Sequence, residues 1–478
     1  MHQVIALTAV NENPIYRSFI EYFTSNWSFD HIIPKVLDLT AEQELALPSD
    51  LVPTANQAQI IRLLYPALFP DKLFLLCDID IAAVSVRYFR NLTSLPIKPT
   101  EILNFSSDAY PGSSRKPICY YFGYGSAFSA VTGVVDSGSL KEAMIDWWRQ
   151  GSGWATDEVV FGQLIEHAVV NRKITFRGIN RGWSNGVAVR RLDRSQRLNV
   201  IPEGDPIDAH LARPISEAAD MLKAVQHFRG IAQASMTRYI SFSLWGTDAT
   251  YNQGGIANAE TLLNLLPDWK MVVFHPQDHD KVVLQALKLS GVRTVEVRGG
   301  NHMRMFWRFL ASDFPETSHV LFRDCDSRIG IRERKMIFEW IRSQKTFHII
   351  RDHPAHFKPM LGGMWGIKPN RNLNIQNAIE HYQKQGSSTS KYDDDQAFLA
   401  KVIFPRTKGN SLVHDEFFDN TDNVPERDGL EFVGQRIDAN GVPEKRHLDE
   451  LFAWERLKKI PQIRESLRSR RPMFTPNP

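Results

Sequence analysis

The sequence predicts an α/β fold, built twice in tandem. Three observations predict it. Apolar runs of strand length alternate with helical patterns along most of the 478 residues. Two of those runs, FLLCDID at 74–80 and VLFRDCD at 320–326, lead into Asp-x-Asp. Each motif also stands at a similar depth behind an opening strand, 74 residues from Val4 to Asp78 and 84 from Ile240 to Asp324. A chain this long exceeds what one hydrophobic core usually serves, so the division is placed between residues 228 and 238.

Taken in order, VIALTAV (4–10) is a short apolar strand that ends at Asn11. AQIIRLLYPALF follows as a helix with Ile60, Leu63 and Leu64 on one face. KLFLLCDID is a continuous apolar run, as in a parallel strand buried on both faces. EAMIDWWRQ and TDEVVFGQLIEHAV read as helices, the second with Thr156 as its cap. SEAADMLKAVQHFRGIAQAS is a helix leading to a new start. RYISFSLWG, WKMVVFH and TVEVRG are the next strands, MFWRFLA is helical, and SHVLFRDCD closes the repeated plan.

Composition narrows the class. Hydrophobic residues make up 43% and charged residues 23%, a globular balance. The net charge of +3 predicts no particular partner, and no nucleic-acid partner is expected. Three cysteines without metal spacing fit a reducing cytoplasm. No run approaches the roughly 20 apolar residues of a membrane span. The 461–478 tail carries Arg464, Arg468, Arg470 and Arg471. It reads as a solvated terminus or as a peripheral foothold on an anionic membrane.

In an extended segment residues i and i+2 point the same way. Asp78 and Asp80 would then present two carboxylates side by side, exposed at a strand end, and so would Asp324 and Asp326. Two such acids repel each other unless a cation sits between them. Mn²⁺ or Mg²⁺ favours oxygen ligands and shares them with a diphosphate.

With these residues in view, the first half resembles the GT-A glycosyltransferases. NQAQIIRLLYPALFPDKLFLLCDID resembles their nucleotide-sugar-binding half, WATDEVVFGQL their acidic acceptor-side pair, and DAHLARP their late metal-binding histidine. The resemblance implies Rossmann-like nucleotide-sugar-binding domains, with Asp78, Asp80 and His210 holding Mn²⁺ or Mg²⁺ on a donor diphosphate. It implies Asp157 or Glu158 as the base, although either acid also serves as a helix cap. Asn11, Gln57 and Arg62 are placed toward the nucleotide or phosphates, with a polar turn or solvated helix face as the alternative. Gly125, in YYFGYGSAFSAVTG, offers close backbone approach to a sugar or a bulge in a core strand.

The second half resembles the same superfamily more distantly. RDCDSR supplies Asp324, Asp326 and Arg328, with Arg323 interrupting the apolar run. KYDDDQAFL supplies Asp393, Asp394 and Asp395, among which the sequence does not choose; Asp394 and Asp395 are taken as the acceptor-side pair. SLVHDEFF supplies His414, a metal ligand or a surface histidine. RDHPAHFKPMLGGMWGIKP resembles a segment of poorly characterised bacterial and viral sugar transferases, and its LGGMWG implies a strand and a small-residue turn.

The expectation is a cytoplasmic bifunctional glycosyltransferase, with domains at 1–228 and 238–460. Its partners would be nucleotide-sugar donors and a glycan or lipid-linked oligosaccharide acceptor. The alternative is one catalytic domain beside a non-catalytic glycan-binding or scaffold domain. A dehalogenase-type phosphatase would carry Thr or Val where Ala82 and Arg328 stand. A glycoside hydrolase would need its acids roughly 5 to 9.5 Å apart, across the scissile bond.

Overall fold

The computed structural model describes residues 2–110, 115–181, 191–194, 206–232, 237–298, 301–369, 373–385, 393–418 and 424–457. The basic tail beyond residue 457 and part of KYDDD lie outside them. The chain divides into two compact units, Met1–Ala234 and Ser235–Pro478. Among the described residues no helix is long and apolar enough to cross a membrane. The three cysteines are free and buried.

In the first unit the apolar runs become β1 (Val4–Val10), β2 (Ile32–Asp38), β3 (Leu73–Leu76), β5 (Glu101–Asn104), β6 (Tyr121–Tyr124) and β7 (Thr175–Gly178), while β4 (Ile81–Ala83), β8 (Arg191–Asp193) and β9 (Asp208–His210) are three-residue strands. The main sheet runs β2-β1-β3-β6-β5-β7. β1 is parallel to β2 and β3, β6 runs antiparallel to both β3 and β5, and β7 is parallel to β5. Helices Thr54–Leu64 and Thr156–Val170 cover the sheet through Ile60, Ile61, Leu64, Val160 and Phe161, all buried. Thr156 is the first helical residue rather than the cap; its hydroxyl donates to the Gly153 carbonyl at 2.7 Å.

A small sheet, β4-β9-β8, carries His210 to the end of β3. The indole of Trp27 donates to the Ile81 carbonyl at 2.9 Å and pins β4 from behind. Asp208 sits at 0% exposure between Arg181 and Arg191, with the Tyr120 hydroxyl donating to it at 2.6 Å. Those charges outweigh burial and hold its carboxyl far below the usual range.

The second unit has β10 (Thr237–Ser243), β11 (Trp269–His275), β12 (Arg293–Glu296), β13 (Thr317–Phe322), β14 (Phe347–Arg351), β15 (Trp365–Ile367) and β16 (Ser411–Asp415). Their order is β12-β11-β10-β13-β15-β14-β16. β10 is parallel to β11 and β13, β15 is antiparallel to β13 and β14, and β16 is parallel to β14. Without its edge strand β12, this is the strand order and direction of the first unit. MFWRFLA lies in a 3₁₀ helix, Asn301–Asp313.

Arg323 does not break β13. It is buried against Glu333 and donates to the Phe322 and Trp365 carbonyls. A buried, paired and hydrogen-bonded charge is tolerated where an isolated one is not.

Candidate functional site

In both units the Asp-x-Asp follows the strand rather than lying in it. β3 ends at Leu76 and β13 at Phe322, and the acids fall in the turn beyond. The two carboxylates of each motif therefore take different partners.

In the first unit Asp78 meets Arg62, whose other arm holds Asp157 at 3.0 Å. Arg62 outweighs burial and lowers the Asp78 carboxyl, whereas burial prevails at Asp157 and raises it. Asp157 also accepts the Glu158 backbone N–H at 2.9 Å. Both of its oxygens are engaged, one by Arg62 and one by the Glu158 N–H. Asp80 is only 1% exposed, against the expected surface acid. Its Oδ2 takes Arg213 at 2.5 Å, His210 Nε2 at 3.1 Å and Arg194 at 3.2 Å. Burial would raise its pKa, but His210 and Arg213 pull it far down. Its Oδ1 is buried with no hydrogen-bond partner.

These groups line a cavity of about 250 Å³. Arg62, Arg115, Arg194 and Arg213 face Asp78, Asp80, Asp157 and Glu158, a formally neutral set. Asn11 lines it too, donating to the Thr54 hydroxyl at 3.2 Å. Ala9, Ala55 and Ala58 leave flat space at the end of β1, and Trp154, 59% exposed, stands at the rim. Glu158 accepts from the Tyr110 hydroxyl at 2.9 Å and from Arg115 Nε at 2.6 Å.

Two expected residues are elsewhere. The Gln57 amide is consumed by Leu47 and Val52 backbone groups at 2.8 Å, and Gln59, two residues on, lines the cavity instead. Gly125 opens a helix against the Pro66 and Phe69 carbonyls, where a Cβ has no room. Trp154 and Arg213 lie inside the quoted WATDEVVFGQL and DAHLARP stretches but were not singled out, and Tyr110, Arg115 and Arg194 lie outside every motif.

The second unit repeats the bridge. Arg308 holds Asp324 with one arm and Asp395 with the other, at 2.6 Å. Asp395 accepts the Gln396 backbone N–H at 2.9 Å, as Asp157 does that of Glu158. Gly362 and Gly363 of LGGMWG lie against Asp395, Arg308 and Asp324, where a methyl group would collide with the bridge. Of the three acids left open, Asp395 is therefore at the site, while Asp393 pairs with Lys358 at 2.9 Å and buried Asp394 accepts from the Tyr382 hydroxyl at 3.0 Å.

Other expectations for this unit are corrected. His414 is fully buried within the sheet, bonded to His348 and Glu339 at 2.9 Å, rather than joining Asp324 and Asp326. Arg328 donates to the Cys325 and Ser327 carbonyls at 3.0 and 3.1 Å. Asp326 instead faces Arg436 at 3.4 Å; burial and Asp324 push its pKa up to about 6. The place of Glu158 is held by Gln396, an amide.

The buried imidazole gives a stability prediction. His348 is 0% exposed, and burial, then His414, hold its pKa well below 6.5. The folded state keeps it neutral while the unfolded chain protonates near pH 6.5. Its contribution is present above that pH and is lost as pH falls below it. Urea midpoints at pH 7 and pH 5 should show a smaller drop in His348→Gln; an equal drop would place the pH dependence elsewhere.

Among the described residues no three His, Cys, Asp or Glu side chains form a ready metal cage. In the first unit the residues still fit Mn²⁺ or Mg²⁺. Asp80 Oδ1 lacks a partner and His210 Nε2 stands 3.1 Å from the same carboxylate's Oδ2, and such ions are commonly held by one or two protein groups plus substrate phosphates. In the second unit a guanidinium occupies that corner, and it has no lone pair to offer.

No protein-family model and no curated protein matches the chain. Solved structures with some similarity include the galactosyltransferase LgtC in complex with donor and acceptor sugar analogs, at TM-score 0.27 and 14% identity over 38% of this chain and 74% of that one. The mannosyltransferase PcManGT from Pyrobaculum calidifontis, in complex with GDP-Man and Mn²⁺, has TM-score 0.27 and 11% identity over 46% of this chain and 63% of that one. The 4-diphosphocytidyl-2C-methyl-D-erythritol synthase from Anaerococcus prevotii has TM-score 0.27 and 12% identity over 46% of this chain and 99% of that one. Scores this low carry no weight below, where function is read from the site.

Proposed function

We propose that the first unit is a GT-A-type glycosyltransferase that moves a sugar from a nucleotide donor to a hydroxyl of a glycan or lipid-linked oligosaccharide. The observation that carries this reading is the unpartnered Asp80 Oδ1, on a carboxylate whose other oxygen meets His210, in a neutral cavity at the strand ends. Ligands of open α/β sheets bind in that crevice. A donor diphosphate adds about two negative charges, and one divalent cation restores neutrality. Asp80 and His210 would hold Mn²⁺ or Mg²⁺ there, and the ion would supply charge stabilisation for the departing nucleoside diphosphate.

The chain's own residues do the rest. Arg194 and Arg213 stand at Asp80 with forked donors suited to phosphate oxygens. Asn11 and the alanines at the end of β1 receive the nucleoside. Trp154 offers an aromatic face to the acceptor sugar. Glu158 takes the proton of the acceptor hydroxyl as its oxygen bonds to the anomeric carbon. The bond from that carbon to the phosphate oxygen breaks, and the nucleoside diphosphate leaves with the electron pair.

The second unit shares the strand order and the Asp-Arg-Asp bridge, which supports a second donor site. Gln396 and Arg436 depart from the first unit at the base and metal positions, and favour a unit that binds its donor by other means.

The test is release of nucleoside diphosphate from a panel of nucleotide sugars with Mn²⁺. Release should rise with a glycan acceptor, and Glu158→Gln should slow transfer about 10²-fold or more with donor affinity unchanged. No turnover and no binding of any nucleotide sugar would reject the reading.

A further inference from the structure

We propose that the second unit binds a nucleoside diphosphate without a divalent cation, the nucleoside between Asn252 and His279 and the diphosphate on Arg436. The inference rests on the donor-site reading above and adds the chemistry of the second site.

Backbone pairing fixes the equivalence. In the first unit the Asp80 carbonyl accepts the Leu211 N–H at 2.9 Å, and Ile81 pairs antiparallel with His210. In the second the Asp326 carbonyl accepts the Ile437 N–H at 2.7 Å, and Ser327 pairs antiparallel with Arg436. Arg436 thus stands where His210 stands. Its guanidinium stays protonated, so it cannot ligate a metal in the way the His210 imidazole can. It does offer a fixed cation with a planar fork for phosphate oxygens. Its side chain is 47% exposed and shared between Asp326 at 3.4 Å and Glu444 at 3.5 Å. Neither contact is close, so the guanidinium can turn to a ligand.

A second, independent observation points to the ligand's other end. A cavity of about 350 Å³ opens near the ends of β10 and β11, lined in part by Gly246, Asn252, His279 and Arg304. His279 is 5% exposed, yet neither ring nitrogen has a hydrogen-bond partner, and Asn252 Oδ1 is likewise buried and unpartnered. Buried polar atoms are rarely left so. Together they offer donors and acceptors to a base or ribose. The next residue back, Tyr251, acts on the Asp326 carboxyl that Arg436 faces.

The test uses the full chain carrying His210→Ala, which weakens the first site, with UDP and GDP titrated in Mn²⁺ and in EDTA. The proposal expects one remaining site whose affinity is the same in both buffers. Adding Arg436→Ala or His279→Ala should weaken that site about tenfold or more, the scale of losing a charge-assisted or buried hydrogen bond. Three results would overturn it: loss of the remaining site in EDTA, insensitivity to both substitutions, or no remaining site while the wild-type chain binds one nucleotide with Mn²⁺. Failure of the wild-type chain to bind either nucleotide with Mn²⁺ would reject the donor-site reading itself.

Discussion

Asp80→Asn is expected to abolish transfer by the first unit, by about 10³-fold or more, the scale of losing charge stabilisation of a departing group. The substitution is nearly isosteric, so the turn after β3 and the Leu211 N–H bond to the Asp80 carbonyl should persist. What disappears is the negative charge at the meeting point of His210, Arg194 and Arg213. The two arginines are 36% and 29% exposed, so water can satisfy them and the chain should stay folded. Circular dichroism checks the fold, and nucleotide binding in Mn²⁺ checks the site. A variant that binds donor normally would remove Asp80 from the mechanism.

The second large effect concerns the bridges. Arg62→Met strands the Asp157 carboxylate, whose side chain is 4% exposed, beside an apolar thioether. Removing one partner of a buried pair typically costs about 3–5 kcal/mol. Transfer should fall as well, since Arg62 also holds Asp78. The companion variant Arg62→Met with Asp157→Asn should recover part of the stability, because the stranded charge is gone. Urea unfolding of the singles and the double gives the coupling. Purely additive effects would mean the bridge is incidental. Arg308→Met, alone and with Asp395→Asn, should behave in the same way in the second unit, where Arg308 makes the same two contacts.

The long apolar runs carried most of the fold. β1, β3, β10, β11 and β13 were legible because a strand buried on both faces needs an unbroken apolar segment. The small β4-β9-β8 sheet was not legible, because strands of three residues leave no periodicity to read. The two Asp-x-Asp motifs marked the strand ends where Arg62 and Arg308 form their bridges. Their charge partners did not show, because Arg62 and Asp157 are 95 residues apart and Arg308 and Asp395 are 87 apart.

Two of the displaced assignments, Gln57 and His414, failed for separate reasons. Gln57 was chosen by residue type, although it lies three, four and seven residues before Ile60, Ile61 and Leu64 on the buried face. The helical period itself pointed to Gln59. His414 was chosen as a late histidine, but the chain returns to Asp326 only at Arg436, and that return is made by backbone pairing, which side-chain type does not reveal.

The most direct measurement is a crystal soaked with a nucleoside diphosphate and Mn²⁺, with the metal located by its anomalous scattering. The account predicts one Mn²⁺ in the first unit, between Asp80 and His210, with the diphosphate against Arg194 and Arg213, and no Mn²⁺ at Asp326. Nucleotide bound outside the cavity, or metal absent from Asp80 while nucleotide is present, would contradict it.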